Sequence, residues 1–215
     1  MKTIFAFTII LFTNFSFAQN LSLKVIDTDF SKGRLTYEQK ITLSDVAKFY
    51  GHLCDGLVVG FLGLRQVIYL LFSDSTADRT NLRIVSKSSP CLTDIGIYLT
   101  GARYQFNTFY VSDSISYAFI VQRIDTKKTY GVNLKPGIKP TQIDSLGNLA
   151  TKGKLMACDL DVLHKMEDDF TEKLLASNPK NIFIIDEILN FNWNPILNNT
   201  FIKTDILNKQ KPICK

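Results

Sequence analysis

None of the four cysteines, Cys54, Cys91, Cys158 and Cys214, belongs to a CxxC pair. That excludes a zinc ribbon and a thioredoxin-type redox motif. No apolar run qualifies as a membrane span. The amino-terminal run from Ile4 to Phe12 is too short, and Leu57 to Phe72 is interrupted by Arg65 and Gln66, where a span needs roughly 20 predominantly apolar residues. Charge of one sign is also scarce: the net charge is +5 over 215 residues. Scattered in this way it gives no electrostatic footprint for nucleic acid. The chain has no internal repeat and no low-complexity linker.

The start of the chain has the pattern of a secretory signal peptide. Lys2 precedes the apolar run, and Ser16-Phe17-Ala18 supplies small residues around an expected cleavage after Ala18. The residue directly after that point is Gln19, not cysteine, which argues against a lipoprotein anchor. We therefore expect export to a periplasm, with residues 1–18 as the signal peptide, 19–40 as an amino-terminal arm, 41–188 as the core domain and 189–215 as a tail. Such a chain fits one domain and can bury a real core. Export permits disulfides, and four cysteines allow three two-disulfide pairings.

Along the chain, Leu21 to Phe30 reads as an edge strand or arm. Thr42 to Tyr50 reads as a short helix capped by Ser44 and broken at Gly51. Leu57 to Phe72 is expected as a central buried helix. Gly56, Gly60 and Gly63 fall on one face of it, which points either to another backbone packed closely there or to a locally irregular helix. Ser73 to Asn81 reads as a loop and Leu82 to Val85 as a strand. A second helix starts at Ser88-Ser89-Pro90-Cys91, with Pro90 in the first position and Asp94 in the first turn, and stops at Gly101. Tyr117 to Ile124 and Thr129 to Leu134 form a hairpin whose turn lacks glycine. Thr141 to Lys154 reads as a connecting loop. Asp159 to Ser177 is an amphipathic helix with Leu160, Leu163, Met166, Phe170 and Leu174 on one face. Phe183 to Ile188 is a last strand or short helix. The expected class is α+β: one domain with a central apolar helix, further helices and an antiparallel sheet that includes a β-hairpin.

The chemistry concentrates in Gly51-His52-Leu53-Cys54-Asp55-Gly56. Cys54 and Cys91 each fall at a helix N-terminus, where the helix dipole favours a thiolate. His52, Cys54 and Cys91 would give three ligands and leave one position open, the pattern of a catalytic or exchangeable zinc site. Asp94 could ligate or hydrogen-bond a ligand. Three other readings stand beside this one: a Cys54–Cys91 disulfide, a hydrogen-bonded core His52, and a nucleophilic Cys54 with His52 as its base. His164, on the edge of an amphipathic face, reads as structural. Cys158 and Cys214 are candidates for a disulfide tying down the C-terminus. Arg65, in an apolar helix, calls for an acidic partner.

Phe49-Tyr50-Gly51-His52-Leu53-Cys54-Asp55-Gly56, followed by Gly60 and Arg65, resembles the signature of the formylmethanofuran dehydrogenase E-subunit family, roughly F-H-G-H-x-C-P-G, then G and R. Cys91-Leu92-Thr93-Asp94-Ile95-Gly96, then Tyr98-Leu99-Thr100-Gly101, is similar to its C-x-x-D-A-I-Q-x-L-T-G. Phe170 to Leu175 looks like its R-E-K-L-L helix end. The resemblance covers roughly Ile41 to Asp186. It implies an α+β core, a homodimer, and a cavity lined by His52, Cys54 and Cys91 with Asp94 beside them; Asp55 and Arg65 are this chain's own candidates for the surroundings of the site. It also implies a transition metal, zinc first, and a role in metal or metallocofactor handling or in an uncharacterised enzyme reaction. The alternative from another class is a non-enzymatic small-ligand-binding module with structural disulfides. The chain departs from the signature in three ways. Asp55 replaces the proline. Ala102 to Asn107 lack the cysteine and the glycine-lysine-glycine of the family run. No carboxy-terminal zinc finger remains. Export also separates this chain from cytoplasmic formylmethanofuran chemistry.

Overall fold

A computed structural model describes residues 21–28, 34–195 and 211–214. The expected signal peptide lies outside the described residues. Among the described residues, six helices and two sheets form a single α+β domain. None of the described helices is long and apolar enough to cross a membrane.

The organising element is helix α2, Asp55–Leu71. Leu57, Val58, Phe61, Leu64, Val67 and Ile68 on it are completely buried. An apolar residue on nearly every face requires cover on nearly every side. That cover comes from α1 (Leu43–Tyr50), α3 (Pro90–Thr100), α5 (Ala157–Ala176) and a five-stranded sheet. The sheet runs in the order β5 (Phe109–Val111), β4 (Leu82–Ser86), β6 (Phe119–Arg123), β7 (Thr129–Leu134), β8 (Phe183–Glu187). Its pairings are antiparallel except β4 with β5. A smaller sheet has β1 (Ser22–Ile26) between β2 (Gln39–Thr42) and β3 (Thr76–Asp78). Both sheets are therefore mixed. Ser22–Ile26 is the middle strand of its sheet, not an edge, because β2 pairs on one side and β3 on the other.

Several local readings need correction. The cap of α1 is Thr42, not Ser44. Its hydroxyl accepts from the Asp45 amide while the Asp45 carboxylate accepts from the Thr42 amide, a reciprocal capping box. Residues 141–154, expected as a loop, contain α4 (Thr141–Ala150). This helix buries a single apolar residue, Ile143, so its hydrophobic pattern is faint. Ser73 to Asn81 contains β3 and a 3₁₀ turn, Arg79–Asn81. The hairpin between β6 and β7 turns without glycine because Lys127 takes the left-handed conformation, φ 60°. Arg123, at the end of β6, donates to the Leu71 carbonyl at 3.1 Å and so closes the C-terminus of α2 with a cation.

The three glycines of α2 do not share one neighbour. A Cβ on Gly56 would lie 2.9 Å from Cys91 Cβ, and one on Gly60 would lie 2.5 Å from Ile95 Cγ2. Both meet α3. A Cβ on Gly63 would meet Phe183 and Val132 of the sheet at 3.1 and 3.3 Å. The closest atoms are side chains, not another backbone. Gly56 and Gly60 let α3 lie against α2, and this contact sets the geometry of the site.

Candidate functional site

The site forms where α1 ends and two helices begin. Helix α1 closes on Gly51, whose φ of 114° is open to glycine and strained for other residues. The chain then passes through His52 and Leu53 to Cys54, the N-cap of α2. Helix α3 starts beside it. Ser89 caps α3 by accepting from the Leu92 amide at 3.3 Å, and Pro90 occupies its first turn. Cys91 follows immediately. With only hydrogen at Gly56, the Cys91 side chain can rest on the first turn of α2 next to Cys54.

The two sulfurs lie 3.3 Å apart; both cysteines are half-buried and neither is in a disulfide. This distance is well beyond a disulfide, about 2.05 Å. It is slightly short of the ~3.8 Å that separates two thiolates on one tetrahedral metal with 2.3 Å bonds. Cys91 also reaches the Tyr50 hydroxyl at 3.3 Å, and either thiol of the pair can donate to the other. The hydrogen bond with the Cys91 sulfur, then burial, push the Cys54 thiol well above its ordinary value. The Leu57 amide acts the other way and is outweighed. The expectation that the helix N-terminus would make Cys54 thiolate-like is therefore corrected. A second sulfur at hydrogen-bond distance, in a half-buried place, dominates the dipole.

His52 is exposed. Its ring packs on Tyr50 with centroids 4.8 Å apart. Tyr50 thus touches both His52 and Cys91. Among the described residues no three His, Cys, Asp or Glu side chains are gathered closely enough to hold a metal ion. The structure brings Cys54 and Cys91 together and leaves His52 one side chain away. Asp94 is half-buried on α3, just past the first turn instead of inside it.

Asp55, which stands where the related signature has proline, is buried, with 8% of its surface exposed. One carboxylate oxygen accepts from the Gly56 amide at 2.7 Å. The other lies 3.3 Å from Lys139 Nζ, which also meets Asp144 at 3.0 Å. Burial pulls the Lys139 ammonium down, but the charges of Asp55 and Asp144 outweigh it and hold it above its ordinary value. Glu167 of α5 faces the same group. Burial first, and the Asp55 charge second, push its carboxyl up to about 7, against the pull of Lys139 and His164. Sequence reasoning missed Lys139, Asp144 and Glu167. The only signal was Asp55 itself, a carboxylate at the head of a buried helix that needs a cation.

The remaining candidates lie elsewhere. Arg65 stands ten residues along α2 from Asp55, a rise of about 15 Å. No ion pair among the described residues includes it. It donates instead to the Tyr69 hydroxyl at 2.6 Å and stacks over that ring. The partner of this half-buried cation is thus a phenol one turn on, not the acid expected. Cys158 and Cys214 form a disulfide across a sequence separation of 56. His164 is exposed and lies 3.5 Å from Asp168. A cavity of about 420 Å³ lies between the hairpin turn, Thr126 to Thr129, and Glu187 to Phe191. No residue of the thiol pair lines it.

A family model with the description "FmdE, Molybdenum formylmethanofuran dehydrogenase operon" matches residues 49–184, 136 of the 215 residues. The match begins one residue before Tyr50 and spans Cys54, Cys91, Lys139 and Glu167. It ends in β8. No curated protein matches the chain.

Proposed function

The chain belongs to the FmdE family, and from that membership and the paired sulfurs we propose that it binds a transition metal, zinc first, through Cys54 and Cys91. The observation that carries this reading is the 3.3 Å approach of two sulfurs that share no covalent bond and are held by separate helices. Opening the pair by about 0.5 Å reaches the spacing of two thiolates on a tetrahedral ion, whereas closing it to a disulfide takes about 1.3 Å. His52 is the third ligand. To reach the sulfurs its ring would have to leave Tyr50, on which it packs. The bound ion would act as a Lewis acid with one position left for a small molecule or metallocofactor, a role in metal handling.

We place the protein outside the cytoplasm and read it as a homodimer. The Cys158–Cys214 disulfide supports an oxidising compartment, as does the signal-peptide pattern. Exposed Phe49 and Leu53 on either side of His52 support an apolar contact around the site. Light scattering tests the dimer, and a monomeric mass refutes it.

Cobalt(II) titration of untagged protein tests the metal site. The expected result is a thiolate-to-cobalt charge-transfer band that saturates at one equivalent. The band vanishes in the Cys54→Ser/Cys91→Ser variant and weakens in His52→Ala. Tetrahedral cobalt without thiolate absorption would refute the assignment.

A further inference from the structure

We infer that Cys54 and Cys91 are also a reversible dithiol–disulfide couple, and that its closure expels the metal and so regulates the site; the regulatory half of this inference rests on the metal-binding reading above. The chain already holds one closed disulfide, Cys158–Cys214, and elsewhere one open cysteine pair. The open pair is poised to close. Its sulfurs are 3.3 Å apart, and neither cysteine is fully buried. They sit at the first turns of α2 and α3, where a small rotation of a cysteine side chain changes the sulfur separation without breaking a helix. Gly56 leaves the space in which the Cys91 side chain moves, since its sulfur lies 3.0 Å from where a Cβ would be.

The oxidant is a small-molecule disulfide. One protein thiolate attacks one of its sulfurs, forms a mixed disulfide and expels the first small thiolate. The second protein thiol gives up its proton to that thiolate and attacks the protein sulfur of the mixed disulfide. The Cys54–Cys91 bond forms and the second small thiolate leaves, to be protonated by the proton lost from the first cysteine. Two electrons and two protons pass from the protein to the small disulfide. A disulfide sulfur is no longer a thiolate ligand, so oxidation and metal binding compete for the same two atoms.

The test uses untagged protein with Cys158–Cys214 intact. It is equilibrated anaerobically in glutathione buffers of graded ratio, with and without zinc, then acid-quenched and alkylated. Mass spectrometry counts the modified cysteines. The expected result is a single two-electron transition from two alkylated cysteines to none, with Cys54 joined to Cys91 and no glutathione adduct at the end point. Zinc at a hundredfold over its dissociation constant makes oxidation about a hundredfold less favourable, a shift of about 59 mV at 29.6 mV per tenfold. Cys54→Ser retains one alkylatable thiol and has no such transition.

Two outcomes overturn the inference. If both cysteines stay alkylatable across all ratios, or carry only glutathione, there is no couple. If the couple forms in protein shown by dialysis to bind zinc, and zinc leaves the midpoint unmoved, there is no gating. The first leaves the metal reading standing. A couple in protein that binds no zinc removes the metal reading, and the regulatory half with it, while the dithiol chemistry survives.

Discussion

Replacing Gly56 with alanine tests the contact that creates the site. The new Cβ would lie 2.9 Å from Cys91 Cβ and 3.0 Å from Cys91 Sγ. Carbon atoms at optimal contact are about 3.5–4.0 Å apart, so α3 must retreat by several tenths of an ångström or Cys91 must turn away. Overpacking of this kind costs about 1–3 kcal/mol. Alanine returns about 0.5–1 kcal/mol through helix propensity, which leaves a net loss of between about 0 and about 2.5 kcal/mol. Gly147→Ala is the control. Gly147 is inside α4, and a Cβ there has nothing within 4 Å, so the same exchange stabilises by about 0.5–1 kcal/mol. Urea unfolding with the disulfide intact measures both. The two variants are expected to move in opposite directions with unchanged denaturant slope, and Gly56→Ala is also expected to weaken zinc binding. If Gly56→Ala stabilises as much as Gly147→Ala, α2 and α3 do not touch at the site and the reasoning fails.

Glu167→Gln tests the carboxyl pair. The folded-state value of about 7 lies above the ordinary 4.5, so the native state binds more protons between those values and stability falls as pH rises through that window. The full shift corresponds to about 3.4 kcal/mol, and partial exposure of the group reduces it to about 1–2 kcal/mol. Glutamine removes this slope; an unchanged pH–stability curve from 4.5 to 7 contradicts the assignment. Reducing Cys158–Cys214, or replacing both cysteines with serine, releases a loop of separation 56 and costs up to about 4 kcal/mol by loop entropy. The check is a thermal or denaturant midpoint, and no change would show that the crosslink does not constrain the unfolded chain. Arg123→Met removes the cation at the end of α2, its 3.1 Å bond to the Leu71 carbonyl and its stacking over Phe72. It is expected to lower stability by about 1–2 kcal/mol without changing zinc binding.

Much of this architecture was legible because its signals are local. The apolar run after Cys54, the Ser-Pro start and the Gly101 end of α3, and the alternation of the hairpin each act within one or two turns. Composition does not separate Thr42 from Ser44 as the cap, since either hydroxyl can cap a helix. The choice was made by Asp45, whose carboxylate reaches back to the Thr42 amide. The pattern of α4 was faint because only Ile143 is buried, and β3 and β5 are three residues each, too short to show a period. At the site, the convergence of Cys54 with Cys91 follows from two helix starts that the sequence marks clearly. The Asp55–Lys139–Glu167 group could not be read, because its members come from three segments far apart in sequence. The position of His52 depends on a stacking partner, Tyr50, not on spacing. Neighbouring sulfur outweighed the helix dipole at Cys54 because a direct contact is stronger than a half-charge spread over a turn.

The central claim is that Cys54 and Cys91 hold a metal ion. The most direct measurement is elemental analysis of untagged protein purified from its native compartment under non-reducing conditions, with free thiols counted after denaturation and chelation. The expected result is one equivalent of transition metal per chain and two free thiols in the parent, and no metal in Cys54→Ser/Cys91→Ser. A metal-free parent whose thiols resist cobalt and zinc added after reduction would contradict it.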